Sequence, residues 1–343
     1  PLPSRPPLPH YCDNPEEELR ARTLQGAKER WGTLSKAQRR RLEFEFTRIL
    51  PRGYSVHFLI AWDLCRWAKD QHILFSGRGS VVDSLVAYCL GLTRIDALEH
   101  DLHFDRFLPE DGSKRPDIDL DFEAARRDDA RNYLADKYGR DKVATVAAFG
   151  SYCSRGIIRE VGKMLEIPTD LISWLSKRIH GGVMPDQLEK QMEKRPELAK
   201  SAIPKERLEW IFRLAKEMMD IPRSMRAHSS GVVLSADPLW DTVPVQLAGN
   251  TDWDHEPGSL RIIQWDKRSA KHWFDKLDIL CLRGQDVLAG TERRLRASNP
   301  DFRAESVSLT DPETYRTMRG GELIGIPQSA SPAMRQAHMR LQT

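Results

Sequence analysis

Residues 114–122 read KRPDIDLDF, setting Asp117, Asp119 and Asp121 at alternate positions with Ile118 and Leu120 between them. In a strand, successive side chains point to opposite faces, so the three carboxylates would share one face and the apolar residues the other. Aspartate is a poor strand former, and like charges along one face repel. With aspartate near 5% of residues, about one chain in twenty of this length would carry the pattern by chance. Three readings are open. The run could be a solvated acidic edge strand, or a calcium loop, since D-x-D-x-D opens the EF-hand signature. It could also be a platform for divalent metal. The loop needs glycine at its sixth position, where this chain has Phe122, and Ile118 and Leu120 suit a strand better than a ring of ligands. Mg²⁺ is a hard ion that takes one or two carboxylates and leaves its other positions to water and phosphate oxygen. Dications would neutralise the repulsion.

Two further segments bear on what such ions would act on. GRGS, residues 77–80, follows an apolar run and precedes a predicted helix. Backbone N–H groups, a hydroxyl and an arginine at such a turn can cradle phosphate, although glycine-rich turns of this kind are also plain structural elements. The chain holds no G-x-x-x-x-G-K-[ST] loop. Far downstream, WFDKLDILCLR places Asp278 between apolar residues in a strand-like run, with Lys276 two positions back on the same face. Alone, Asp278 reads as a strand-end acid. A carboxylate pair, a phosphate cradle and a distant aspartate with a same-side lysine together describe two-metal phosphoryl transfer.

The elements that must position these residues follow from periodicity. SKAQRRRLEFEFTRIL carries Leu42, Phe46, Ile49 and Leu50 at helical spacing with Ser35 as N-cap, and Arg39, Arg40 and Arg41 read as its polar, solvated face. VHFLIAWDLCRWAKD (56–70) is a second, strongly apolar helix, and a buried helix is expected over 81–92. The acidic strand falls near 116–122, an amphipathic helix ends at Gly139, and KVATVAAFG is β-rich. From 154 to 225 the pattern is almost entirely helical, after which HSSGVVLS, TVPVQ and SLRIIQWD return to strands. The fold class expected is α+β, a mixed sheet interrupted by a helical insert. Beyond 299 a loop and one short helix are expected, and the tryptophans and methionines read as core filling.

The 343 residues are 40% hydrophobic and 30% charged, enough for two or three domains with cores of their own. Fifty-three basic against 50 acidic residues give +3, a balance that neither suggests nor excludes a local nucleic-acid groove. Five scattered cysteines without a CxxC pair argue against a disulfide framework or zinc site and for a reducing, cytoplasmic setting. No apolar run approaches the roughly 20 residues of a membrane span, and no signal peptide is visible; the abrupt opening without Met suggests a piece cut from something longer.

GRGSVVDSLVAYCLGLTRIDALEHDLHFDRFLPEDGSKRPDIDLDF closely resembles the palm of bacterial C-family DNA polymerases, the α subunit of DNA polymerase III and its error-prone paralogues. DKYGRDKVATVAAFGSYCSRGIIREVGKMLEIP, HSSGVVLS, IIQWDK and KLDILCLR are similar to later segments of that family in the same order. The resemblance covers most of 50–290. It implies a nucleotidyltransferase-like palm in which Asp117, Asp119 and Asp278 hold two Mg²⁺ ions, with Asp121 a supporting acid. Arg78, Gly79, Ser80 and Lys276 would contact the triphosphate of the incoming dNTP. Arg155, Arg159 and Lys163, four apart along one helix, and His228 are candidates for primer-template DNA contacts, beside plainer readings as a solvated stripe and a turn-ordering histidine. One metal would lower the pKa of the primer 3′-hydroxyl and the other would stabilise the leaving pyrophosphate. The implied parts are a helical N-terminal connector (1–50), palm (51–155 and 227–290), helical thumb (156–226) and the start of the fingers (291–343). A phosphoesterase domain, the rest of the fingers and contacts with other replisome or mutasome subunits would belong to a longer protein.

Departures from the family pattern are Ser76 in place of a proline, Asp83 close after the turn, and GIPQSASPAMRQ in place of a Phe-Gln-x-Glu-Ser pattern, which leans toward an error-prone branch. They keep two other functions open. One is a catalytically inactive DNA-binding fragment or scaffold; the other is a template-independent nucleotidyltransferase or phosphohydrolase.

Overall fold

The computed structural model describes residues 6–179, 202–247, 261–308, 310–326 and 329–341, with 187, 190 and 194 as isolated positions. The helices that matter below are α1 (Pro15–Trp31), α2 (Lys36–Ile49), α3 (Ser55–Asp70), α4 (Leu85–Cys89), α5 (Arg127–Tyr138), α6 (Ser154–Met164), α7 (Thr169–Arg178), α8 (Lys205–Met218) and α9 (Lys267–Trp273), followed by α10 (Arg283–Leu295), α11 (Pro312–Arg319) and α12 (Pro332–Leu341). The strands are β1 (Phe75–Arg78), β2 (Ile118–Phe122), β3 (Val143–Ser151), β4 (Pro222–Leu234), β5 (Val245–Leu247), β6 (Arg261–Asp266) and β7 (Lys276–Cys281). They form one mixed sheet in the order β1-β2-β7-β4-β3-β6-β5, giving the α+β architecture expected.

Two compact units are present: Pro1–Val146 with His228–Thr343, and Ala147–Ala227. In the larger, β2 lies between antiparallel β1 and parallel β7, and β7 is flanked on its other side by antiparallel β4. Alternation sorts the side chains. Ile118, Leu120, Phe122, Val232, Leu234, Leu277 and Ile279 face a core completed by Leu19 and Ala27 of α1, Phe46 of α2 and Phe58 and Leu64 of α3. On the opposite face, the part made by β3, β4 and β6 is covered by Ala270 of α9 and the adjoining Phe274, packed on Ala144, Val146, Val233 and Ile263. The part made by β2 and β7 carries the aspartates. The smaller unit has its own core of Ile157, Val161, Leu175, Ile211 and Phe212 from α6, α7 and α8.

The termini of the early helices follow local chemistry. Ser35 caps α2 in a full capping box with Gln38, and Asn14 caps α1, whose first turn carries Glu16, Glu17 and Glu18. Elsewhere the structure departs from the sequence pattern. The helix expected over 81–92 is a 3₁₀ turn, Gly79–Asp83, and the short α4. β-Branched Val81 and Val82 are stiff there, and Ser84 restarts the chain as an N-cap on Ala87 N. The helical run stops at Met218; Asp220 adopts φ +63 and Pro222 opens β4, which takes 222–226 into the sheet. Among the described residues, two α-helices and not one follow residue 299. No described tryptophan or methionine is among the buried hydrophobic residues; Trp62, Trp67, Trp174, Trp265 and Trp273 pack at core edges, where a large ring with a polar N–H fits best. Arg41 is not solvated either: its Nη2 donates to Asp83 O and Leu102 O, each at 2.9 Å.

Candidate active site

Asp119 and Asp278 are direct register partners on the parallel pair β2 and β7, and Asp117 immediately precedes β2. One oxygen from each of the three carboxylates falls within 4.8 Å of the others. The run in which the D-x-D-x-D pattern sits is therefore a strand and not a calcium loop. Asp121 shares the face with Asp119 but stands apart from the trio, its Oδ2 3.3 Å from Arg78 Nε.

Cations surround the trio. Lys276, buried on β7, bridges Asp117 Oδ1 at 3.2 Å and Asp278 Oδ2 in a very short contact. From α9, Lys267 Nζ lies 3.3 Å from Asp278 Oδ2 and Lys271 Nζ 3.4 Å from Asp117 Oδ2. Ser230 of β4 donates its hydroxyl to Asp278 Oδ1 at 3.2 Å. Gly231, opposite Asp278, leaves the room this needs: a Cβ there would lie 2.7 Å from Val146 Cγ2 and 3.3 Å from Lys276 Cδ.

The charges are unevenly shared. Burial raises the Asp119 carboxyl, the Asp117 charge and a hydrogen bond to Asp278 raise it further, and the result is about 7. When protonated, Asp119 donates toward Asp278, which helps hold Asp278 low. Asp117 and Asp278 are also penalised by burial, but Lys276 chiefly, with Lys271 for the first and Lys267 for the second, holds both below the usual carboxylate range. Three hard oxygen donors this close suit Mg²⁺. That three ammonium groups already converge on them shows how strongly the trio calls for positive charge.

The predicted cradle lies beside the trio. β1 pairs Arg78 with Asp119, and Gly79 takes φ +68, where a Cβ would come within 3.0 Å of Asp119 Oδ2. The Ser80 hydroxyl accepts from Lys114 Nζ at 3.2 Å, and Lys114 also donates to Arg106 O at 2.8 Å. Asp83 is buried, with Arg106 Nη1 3.7 Å away. His228 lies within β4 and not at the turn expected: its Nδ1 accepts from Ser230 N at 3.1 Å and Gly231 N at 3.2 Å, and burial together with nearby Lys267 lowers its pKa. Arg155, Arg159 and Lys163 are exposed on α6 in the smaller unit, where Arg155 Nε donates to Ile179 O at 2.7 Å and Arg159 Nε to Ser176 Oγ at 3.3 Å.

Sequence reasoning missed Lys267, Lys271, Lys114, Arg115 and Ser230. Lys114 and Arg115 open the aspartate motif itself, so their position was a usable signal; the α9 lysines lie some 150 residues further on with no pattern to betray them.

A mixed sheet with carboxylates on an inner parallel pair, a glycine turn at its edge and a cluster of lysines presents the donor types that cations and phosphates take. The chain belongs to the bacterial DNA polymerase III alpha NTPase domain family, whose family model matches residues 17–281. It is 36% identical over 317 residues to an error-prone DNA polymerase of Symbiobacterium thermophilum, covering 92% of this chain and 28% of the relative. It is 34% identical over 344 residues to the DNA polymerase III subunit alpha of Halalkalibacterium halodurans, covering 97% and 30%. To the subunit of the same name in Bacillus subtilis it is 32% identical over 326 residues, covering 93% and 28%. The chain thus spans under a third of the length of these relatives. No described helix is long and apolar enough to cross a membrane.

Proposed function

We propose that the chain carries the catalytic palm of a template-directed DNA polymerase, transferring a nucleotidyl group from a dNTP to a primer 3′-hydroxyl. The observation that carries this reading is the convergence of Asp117, Asp119 and Asp278 from two remote segments. Those three residues would hold two Mg²⁺ ions, which when bound lower the pKa of the attacking hydroxyl and neutralise charge on the leaving pyrophosphate. Asp119 must shed its proton to serve as a ligand. The N–H groups and hydroxyl of Gly79–Ser80, with Arg78, would cradle the triphosphate, and Lys276 would hold Asp117 and Asp278 in register. Residues 156–226 would act as a thumb, Arg155 at its edge with Arg159 and Lys163 would meet duplex phosphates, and His228 would shape β4 beside Asp278. Template sequence is read by base pairing, so protein–DNA contacts should be phosphate-directed and salt-sensitive. In the longer, cytoplasmic protein the fingers and other replisome or mutasome subunits would complete the assembly.

Primer extension with Mg²⁺ tests the proposal. Asp119→Asn should reduce template-directed incorporation by about a thousandfold or more while leaving DNA affinity unchanged. Salt-dependent DNA binding without any metal-dependent extension would favour an inactive DNA-binding fragment, and incorporation without template would favour a template-independent transferase.

A further inference from the structure

The helix α9 is capped by Asp266 and carries Lys271 and His272 favourably in its last turn, but two of its features run against local preference. It opens with Lys267 and Arg268, cations at the end where the helix dipole favours anions, and Lys267 and Lys271 stand one turn apart as like charges. Such conflicts persist where tertiary structure or function compensates them. Here the compensation is the trio: Lys267 lies on Asp278 and Lys271 on Asp117. Arg115, two residues before Asp117, donates from Nη1 to Lys271 O and from Nη2 to His272 O, each at 3.3 Å. It ties down the C-terminal turn of α9 by its carbonyls and leaves the lysine side chains free. Lys276 is buried, whereas the Lys267 and Lys271 side chains are 45% and 47% exposed and can turn outward.

We infer that Lys271, with Lys267, is a counter-charge held on the carboxylates until dications arrive and then handed to the phosphates of a nucleoside triphosphate, so that cation and nucleotide bind cooperatively. The inference rests on the functional reading above. In the ion-free site three ammonium groups converge on Asp117 and Asp278, beside the Asp119 carboxyl that is raised to about 7. A dication entering there meets a like charge on Lys271, and an ammonium displaced from Asp117 needs a new anion. A triphosphate brought in with the metal supplies it. The lysine therefore weakens metal binding alone and strengthens binding of the metal–triphosphate complex, and by linkage each ligand promotes the other.

The test uses the full chain with Mn²⁺ as the probe, free Mn²⁺ being followed by its paramagnetic resonance signal. Lys271→Ala should bind Mn²⁺ alone about tenfold more tightly. The same variant should bind a Mn²⁺-saturated, non-hydrolysable nucleoside triphosphate about tenfold more weakly in calorimetry, and Lys271→Arg should restore both values. Unchanged or weaker binding of Mn²⁺ alone, or unchanged binding of the Mn²⁺–triphosphate, overturns the hand-over. Asp119→Asn separates the two levels. If it loses Mn²⁺ while Lys271→Ala behaves as the parent, the carboxylate site stands and the lysine role falls. If Asp119→Asn binds Mn²⁺ like the parent, both fall.

Discussion

Glu45 and Asp119 are both carboxylates of the larger unit whose pKa is raised by burial, yet the protein treats them in opposite ways. Glu45, fully buried, receives Arg41 Nε at 2.8 Å, Ser84 Oγ at 2.7 Å, Leu85 N at 2.8 Å and Val86 N at 3.0 Å. Those donors join α2 to the start of α4 and leave its oxygens filled. Asp119 stands among two other carboxylates and three lysines, and the lysines are spent on its neighbours. Its remaining partner is the proton it shares with Asp278. Burial and a displaced pKa are common to both places. What distinguishes a site from a structural cap is a cluster of carboxylates that draws cations, where Glu45 stands alone among its donors.

Neutralising each carboxylate should break this contrast most sharply. Asp119→Asn should lower primer extension by about a thousandfold or more. At pH 6, below the Asp119 pKa of about 7, the same change should leave urea stability within about 0.5 kcal/mol of the parent, since the acid is then mostly protonated. Glu45→Ala should do the reverse, lowering stability by roughly 3 kcal/mol in urea denaturation because it leaves the Arg41 charge without its carboxylate and strands two backbone N–H groups. Glu45→Gln, which keeps an acceptor, should lose only about 1 kcal/mol.

A smaller effect is expected at the turn. Gly79→Ala forces a side chain into φ +68 and against Asp119 Oδ2, so stability should fall by about 1–2 kcal/mol with a parallel loss of Mn²⁺ affinity. Loss of stability with metal affinity intact would show that the turn and the trio are independent.

The mildest perturbation is pH. Asp119 is raised above its ordinary 3.8 to about 7, so the stabilisation it lends the metal-free protein is complete below about pH 4 and is lost as pH rises through 7. Asp117 and Asp278, held low, act with the opposite sign, and their contribution disappears only in acid. Mg²⁺ competes with the Asp119 proton, so melting curves should show a larger Mg²⁺-dependent stabilisation at pH 8 than at pH 6. Equal stabilisation at both would mean that Asp119 is not a ligand.

Much of the architecture was legible along the chain. Ser35 announced its cap, the alternation in 117–122 announced a two-faced strand, and the short apolar runs around residues 230, 262 and 278 became β4, β6 and β7. The errors share a cause. Arg41 looked solvated because its neighbours in sequence are charged, but its partners Asp83 O and Leu102 O are more than 40 residues away. The run up to residue 225 looked helical because its composition is, yet the sheet claimed its last residues, from Pro222 on, as β4. Tryptophans that looked like core filling lie at core edges, since burial depends on what else comes to surround a side chain.

Residue types and spacing by themselves determined that Asp117 and Asp119 share a face, that a glycine turn could hold phosphate, and that a third carboxylate waited near the end of the domain. These are properties of backbone geometry over a few residues, where alternation and turn chemistry leave little choice. Only the tertiary structure decided that Asp278 lies beside Asp119, that Lys267, Lys271 and Lys276 converge on the trio, and that the Asp119 carboxyl is raised to about 7. Charge interactions depend on distance through space and on local burial, and both are set by how remote segments pack.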